Sequence, residues 1–386
     1  MLPIDFAEDE TPVSISVADI DQDGDADLYV SVFVAAPYFK SLVFNDAEHA
    51  KMNYMLLNTG NLNFVDITND AGTAGEQNTF FSTFADLNND GYQELIVAQN
   101  TGRVEIFKNN KDATFSPIEY KSPLGFWMGI AVGDIDQDGD LDLLFSNSGN
   151  TVPSFLIRLG SDLEKGQKHN QDWLLLRNEG DFNFTNVSKK YGLKRNGFAW
   201  GTTFDDLDND GDLDFLISRN YVKFPFLIKK LRNSNETVFT QVKTRRGKSK
   251  FKRDRRLNLN NSFYGISPVI VDFNGDGKQD VLWLNIDGPV RAFINQSNNN
   301  FMTFRFPDKV AYLGAKLELV TETGSSYTKE VIAGQGLLTD NSPEITFGLG
   351  KESNVKFLKI TFPNGRVKMV SNLTMNAIHN IIMESN

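Results

Sequence analysis

Five short stretches of this 386-residue chain set carboxylates or amides at alternate positions around one glycine. They read ADIDQDGDADL (18–28), ADLNNDGYQEL (85–95), GDIDQDGDLDL (133–143), DDLDNDGDLDF (205–215) and VDFNGDGKQDV (271–281). With the first Asp as position one, the shared pattern is D-x-[DN]-x-D-G-x-x-[DE]. The odd positions are Asp19, Asp21, Asp23, Asp25 and Asp27 in the first stretch, and Asp86, Asn88, Asp90, Tyr92 and Glu94 in the second. Asp134, Asp136, Asp138, Asp140 and Asp142 follow, then Asp206, Asp208, Asp210, Asp212 and Asp214, and finally Asp272, Asn274, Asp276, Lys278 and Asp280. Oxygen donors at positions one, three and five of a tight turn converge on one point. The carbonyl of position seven and the side chain of position nine close the shell, and the glycine at position six permits the sharp turn. A shell of about six to eight hard oxygens suits Ca²⁺ better than Mg²⁺.

One acidic turn is ordinary, since Asp, Asn and Gly are turn residues. Five with one internal spacing point to calcium, at up to five sites. The loops at 19–27, 134–142 and 206–214, with Asp at every odd position, are expected to bind best. Those with Asn88 and Glu94, or with Asn274 and Lys278, are expected to bind more weakly. Five divalent ions would offset nearly all of the formal charge of −11. Without them each loop is a repelling cluster, so binding is expected to be coupled to folding. At free calcium about tenfold above Kd, each site adds roughly 1.4 kcal/mol by mass action. Weak modules with Kd on the order of 10⁻⁴ M fill in extracellular calcium but not in a resting cytosol. An extracellular, periplasmic or cell-surface location is therefore expected, although MLPIDFAEDE lacks the basic and apolar segments of a signal peptide.

The elements that must hold these loops are strands. The loops start 67, 48, 72 and 66 residues apart, a long repeat with variable connections. Alternating residues precede them, such as Val13, Ile15 and Val17, or Val132, Phe204 and Ile270 two residues ahead of later copies. Apolar runs follow: LYVSV, LIVA, LLFS, FLIS and VLWL. A second phrase recurs at 56–68, 106–118, 175–187 and 292–304, with an Asn/Gly-rich turn between apolar residues, and predicts a second hairpin per repeat. Two hairpins make the four antiparallel strands of a propeller blade. The fold class is all-β: a β-propeller of about five motif-bearing four-stranded blades over 1–308, either complete or part of a larger ring. A small β-rich domain over 309–386 follows, with strands expected at 314–321, 327–333, 344–348, 355–362 and 366–370.

The loops and their spacing resemble the FG-GAP/VCBS repeats of integrin-α-type propellers. The literal Phe-Gly and Gly-Ala-Pro signatures are absent, but GFWMG and GFAWG stand before two loops. LGAKLELVTETG (313–324), VIAGQGLLTDNSPEITFGLGK (331–351) and LKITFPNGRVKMV (358–370) resemble the ASPIC/UnbV domain. The combination is similar to the cartilage acidic protein family, with Phe362 where that family usually has Trp. The resemblance implies a secreted propeller active in adhesion or matrix interaction.

Other chemistries are poorly represented. There is no cysteine, so disulfides, zinc–thiolate sites and a Cys nucleophile are excluded. His49, His169 and His379 share no metal-ligand spacing, and no G-x-S-x-G elbow occurs. No run reaches the length of a membrane span. The negative balance argues against a general nucleic-acid binder. One local exception is KTRRGKSKFKRDRR (243–256), with nine Lys/Arg and one Asp, read either as a solvated insertion or as a site for a polyanion. Trp127 and Trp200 are expected in the blade core, and the long inserts 146–172 and 218–262 on one propeller face. The function expected is a calcium-stabilised extracellular binding or adhesion protein that recognises a protein or glycan through loops. The alternative is a polysaccharide-acting lyase or hydrolase on the same scaffold.

Overall fold

The structure, a computed structural model, describes residues 3–4, 6–8, 10–33, 50–75, 77–148, 168–193, 197–219, 237–244, 248–307, 310–342 and 344–382. Among them it is all-β, with one short 3₁₀ turn at Val310–Tyr312. Residues 149–167 of the first long insert, 220–236 and 245–247 of the second, and His49 lie outside the described residues.

Four four-stranded antiparallel sheets follow in chain order. Blade one holds β1 (Pro12–Ala18), β2 (Asp27–Val32), β3 (Tyr54–Asn58) and β4 (Phe64–Asp66). Blade two holds β5 (Thr79–Ala85), β6 (Glu94–Gln99), β7 (Val104–Asn109) and β8 (Phe115–Pro117). Blade three holds β9 (Trp127–Gly133), β10 (Asp142–Asn147), β11 (Leu174–Asn178) and β12 (Phe184–Asn186). Blade four holds β13 (Thr202–Asp205), β14 (Asp214–Ile217), β15 (Val238–Lys243) and β16 (Ser249–Arg253). Blade five has only β17 (Tyr264–Val271), β18 (Asp280–Asp287) and β19 (Arg291–Phe293). Each metal-type loop joins the first and second strands of a blade, as expected.

The first strands pack in sequence, β1 on β5, β5 on β9, β9 on β13 and β13 on β17. Strands β5 and β6 are buried on both faces, whereas β1 and β17 alternate. The alternation in β1 is inverted from its apolar pattern. Ser14, Ser16 and Ala18 face inward, and Ile15 is 52% exposed. The reason is a buried hydroxyl cluster between blades one and two, with Ser82 Oγ 2.6 Å from Ser16 Oγ and 2.9 Å from Ser31 Oγ.

Two hairpin expectations need correction. The basic stretch is no solvated insertion. Strands β15 and β16 pair antiparallel as the outer strands of blade four, and Phe251 is buried against Tyr191, Phe204 and Phe215. Its Lys-rich sequence hid a strand whose one inward aromatic does the packing.

The 292–304 phrase, conversely, forms no hairpin. In blades one and three the equivalent turn uses Gly60 and Gly180 at φ +96° and +86°. Ser297 stands there in blade five, and its hydroxyl and the Asn299 amide both donate to Asp208 O, at 2.6 and 2.9 Å. The chain is led away, and β20 (Asn300–Arg305) joins a different sheet.

That sheet pairs β20 with β23 (Ile345–Gly350) and, in parallel, with β26 (Ile378–Asn380). A second C-terminal sheet runs β22 (Ser326–Glu330), β21 (Lys316–Thr321), β24 (Val355–Thr361), β25 (Val367–Val370). Five of these strands match the predicted ones closely; β20 and β26 do not belong to that prediction.

Between β22 and β23, residues 331–342 return to the propeller as a strap. Gly336 bridges Ile130 of β9, with both N–H···O distances at 3.2 Å. Asn341 accepts from Ile270 N at 3.0 Å and donates to Thr203 Oγ1 at 2.9 Å. Ile332 and Leu337 enter the large cluster of Phe81, Trp127, Ile130 and Val132. Trp127 is core as expected, and Trp200 packs beside it against Phe80. Leu337 is fully buried and its neighbour Leu338 is 45% exposed. Leu337→Ala should cost about 2–5 kcal/mol in urea unfolding, and Leu338→Ala should fall within about 0.5 kcal/mol of the parent.

Candidate metal centres

The five loops share one hydrogen-bond plan. The position-one carboxylate (Asp19, Asp86, Asp134, Asp206, Asp272) accepts the position-five N–H at 3.0–3.2 Å and the position-six glycine N–H at 2.8–3.1 Å. The position-five carboxylate (Asp23, Asp90, Asp138, Asp210, Asp276) accepts the N–H of position seven at 2.9–3.0 Å. These bonds fold the loop tightly and consume only part of each carboxylate's acceptor capacity. The position-six glycines lie at φ +87° to +96°, which a side chain would strain.

Position nine behaves differently. Asp27, Glu94, Asp142, Asp214 and Asp280 each accept two backbone N–H groups, from position two and from the residue at or near the end of the third strand, at 2.7–3.4 Å. This carboxylate therefore pins the loop to the third strand of its own blade. Position seven turns its side chain elsewhere: Lys278 Nζ donates to Ser297 O at 3.0 Å, and Tyr92 lies under Lys111.

The donor sets differ between loops. Carboxylate oxygens of Asp19, Asp21 and Asp27 lie within 4.8 Å of one another, as do those of Asp134, Asp136 and Asp142 and of Asp206, Asp208 and Asp210. Asp136 Oδ1 and Asp208 Oδ1 are buried without a hydrogen-bond partner. An orphaned carboxylate oxygen amid other carboxylates is what a cation-binding loop leaves for its ion. In the two Asn-bearing loops the amide substitutes in part. Asn88 and Asn274 donate to Asp90 and Asp276 at 3.0 and 3.2 Å, and Lys111 sits 3.2 Å from Asp90.

Burial is the leading cause of the pKa shifts, with repulsion from neighbouring carboxylates adding to it. Asp19, Asp134 and Asp210 are raised to about 6, Asp27 to about 7, Asp142 to about 8 and Glu94 to about 9. Asp206 and Asp214 are raised well above the ordinary carboxylate range for the same reasons.

Two sets of residues that sequence reasoning passed over connect the loops. At position four, Gln22, Asn89, Gln137 and Asn209 sit at φ +56° to +62°. Gln22 donates to Gly91 O at 2.8 Å, Asn89 to Asp140 Oδ1 at 2.6 Å and Gln137 to Gly211 O at 2.8 Å, each reaching the next loop. The third strand supplies the other set. Asn109, Asn178, Gln241 and Asn295 donate to the position-two carbonyl of the preceding blade (Ile20, Leu87, Ile135, Leu207) at 2.7–3.4 Å. The recurring Asn/Gln at both places was visible in the repeats.

The C-terminal sheets sit against loops two to five. Buried Glu330 accepts from Asp86 N at 3.0 Å and Gln93 Nε2 at 2.6 Å. Lys316 Nζ donates to Asn89 and, at 2.6 Å, to Gly139 O, bridging loops two and three. Lys329 pairs with Asp205 at 3.0 Å beside loop four. Gly350 N donates to Asn209 O at 2.8 Å, and a Cβ on Gly348 would overlap the Asp206 carboxylate. Thr303 donates to Gly277 O in loop five. The FGLG and FPNG phrases thus abut loops four and two, the latter through Pro363 O beside Gly91.

Two family matches coincide with this division. Residues 86–145, spanning loop two to loop three, match the FG-GAP-like repeat. Residues 308–386 match ASPIC and UnbV. The chain carries both families' elements. Among curated proteins it is similar to cartilage acidic protein 1 of Homo sapiens, 23% identical over 295 residues, covering 72% of this chain and 40% of that protein. The Xenopus tropicalis protein of the same name is 22% identical over 336 residues, covering 84% and 40%. The chain therefore spans well under half of these relatives. Among solved structures, the V. cholerae biofilm matrix protein Bap1 aligns over 94% of this chain and 59% of its own, with 12% identity and a TM-score of 0.36. AofleA from Arthrobotrys oligospora aligns over 95% and 89%, with 8% identity and a TM-score of 0.36. Likenesses at this level carry no weight for function. No helix among the described residues is long and apolar enough to cross a membrane.

A carboxyl whose folded pKa is raised takes up a proton on folding at intermediate pH, so stability falls as pH rises through the folded value. The metal-free chain should accordingly melt at higher temperature at pH 5.5 than at pH 8, across the interval from the ordinary carboxylate range to about 9. Thermal melts in chelator across that interval check this. A flat profile would contradict the electrostatic account.

Proposed function

We propose that this chain is a calcium-stabilised binding protein of the extracellular, periplasmic or cell-surface environment. The observation that carries it is the pair of buried, unpartnered oxygens on Asp136 and Asp208, each within a set of converging carboxylates. Position-one, -three and -five carboxylates, with the position-seven carbonyl, offer an all-oxygen donor set, the kind that holds Ca²⁺. Position nine, already holding two N–H groups, keeps lone pairs for the ion. The ions serve architecture. They relieve the loop repulsion and hold the surface on which the ASPIC/UnbV sheets rest. Millimolar calcium outside the cytosol suits sites of this open type, and relatives named for cartilage fit that setting.

The partner-binding role falls to surface groups. Lys248, Lys250 and Lys252 stand on or beside the outermost strand of blade four, partly or fully exposed, in a chain whose formal charge is −11. A concentrated basic strand on an acidic molecule favours a polyanionic partner, such as an acidic glycan or an acidic protein surface.

Chelation should lower the melting temperature substantially, and added calcium should restore it in full; magnesium at equal concentration should restore less. Calorimetric titration of Asp208→Asn should lose one of the tighter binding events. An unchanged melt in chelator would remove calcium from the account. K248E/K250E/K252E should keep the parent melting temperature yet elute from heparin resin at markedly lower salt. Equal retention would reduce the basic strand to packing. Deletion of 243–256 is the wrong test, because it removes Phe251 from the core.

A further inference from the structure

Blade five lacks a strand that its own sequence resembles. Blades one and three end in parallel phrases: Asn58 to Thr68 reads NTGNLNFVDIT, and Asn178 to Ser188 reads NEGDFNFTNVS. In blade five the same alignment gives NQSNNNFMTFR from Asn295, with Phe301 at the place of Phe64 and Phe184. Phe64 lies opposite Asn58, and Phe184 opposite Asn178, closing the outer edge of each blade. Phe301 instead pairs with Gly348 in the C-terminal sheet. The outer edge of β19 has no partner strand among the described residues.

The vacated place is a groove. It is a cavity of about 680 Å³ floored by Leu207, Leu259, Val281 and Phe293 and walled by Arg256 and Asp208. Ile294, at its mouth, is 41% exposed. The β19 register matches blade one: Val281 pairs with Phe293 as Leu28 does with Leu56. In blade one the residue before Leu56 turns its backbone outward. Met55 N donates to Thr68 Oγ1 and Met55 O accepts from Ile67 N, both at 2.9 Å. Leu175 does the same in blade three, with Ser188 Oγ and Val187 N. The matching residue in blade five, Ala292, lines the groove.

We infer that this groove is a strand-addition site for an extended peptide of a partner protein, antiparallel to β19. Blades one and three specify its chemistry: an aromatic residue, any residue, Asp or Asn, an aliphatic β-branched residue, then Thr or Ser. The aromatic ring fills the space over Leu207 and Leu259, and the terminal hydroxyl and aliphatic N–H take the two outward groups of Ala292. Backbone pairing supplies affinity, and alternate side chains supply selectivity. Arg256 on the wall is paired with Asp254, and Asp208 stands beside it, so selectivity rests on the aromatic anchor and the backbone pairing rather than on charge.

The probe is a fluorescein-labelled synthetic peptide, NLNFVDIT, identical to residues 61–68. Fluorescence anisotropy with the full chain in calcium buffer should show saturable binding, at least tenfold weaker for the Phe→Ala peptide. Hydrogen exchange should slow at residues 291–295 on peptide addition. Ile294→Pro, just beyond β19, should abolish binding with the melting temperature kept. Unsaturable binding, equal binding of the Phe→Ala peptide, or protection confined to other blades would overturn the inference. So would sedimentation of the free chain as a dimer that the peptide dissociates, since a second copy would then own the groove.

Discussion

The position-nine carboxylate is the interaction on which the rest of this molecule depends. One side chain holds two backbone amides that belong to different hairpins of the blade, so the turn that gathers the acidic residues and the strand pair outside it cannot move independently. A buried carboxylate with two N–H donors is well satisfied as an acceptor but still costly as a charge. The compensation comes from what surrounds it. A cation held by positions one, three and five would sit beside position nine and lower the cost of keeping it ionised. With a cation in place, fold and metal chemistry would share a residue rather than adjoin each other.

The blades are joined to one another by amides. Asn109, Asn178, Gln241 and Asn295 each reach the carbonyl next to the preceding blade's position one, and the position-four side chains reach loop to loop. Onto this linked face the ASPIC/UnbV sheets set Lys316, Lys329 and Glu330. A buried carboxylate facing loop two and a lysine across loops two and three make the contact charge-sensitive. Loss of any cation held by the loops would alter the surface that the C-terminal sheets contact.

Much of this was legible in the residues. The D-x-[DN]-x-D-G-x-x-[DE] spacing located all five first hairpins, because turn chemistry is local and the flanking strands alternate or run apolar. The outer hairpins were harder. In blade four, one inward Phe251 among lysines carries the strand, so hydrophobic period was absent. In blade five the phrase was present and the hairpin was not, since Ser297 and Asn299 are held by Asp208 O and β20 pairs with the C-terminal sheet. The unpartnered oxygens of Asp136 and Asp208 were foreseeable as donors, but their burial depends on packing between blades, which no local pattern encodes. Nor did spacing reveal that position nine holds two amides, because one of them comes from the third strand, far away in sequence.

The strap has a consequence for synthesis. The apolar cluster around Trp127 and Ile130 is completed by Ile332 and Leu337, residues made long after the strands they cover. At about 5–20 residues per second, the roughly 200 residues between Ile130 and Gly336 take about 10–40 s to emerge. Over that interval the early blades exist without their central packing, a nascent molecule with an open axis. Consolidation of this cluster must wait for the strap to arrive, so the order in which these segments are made and the order in which they become stable run apart.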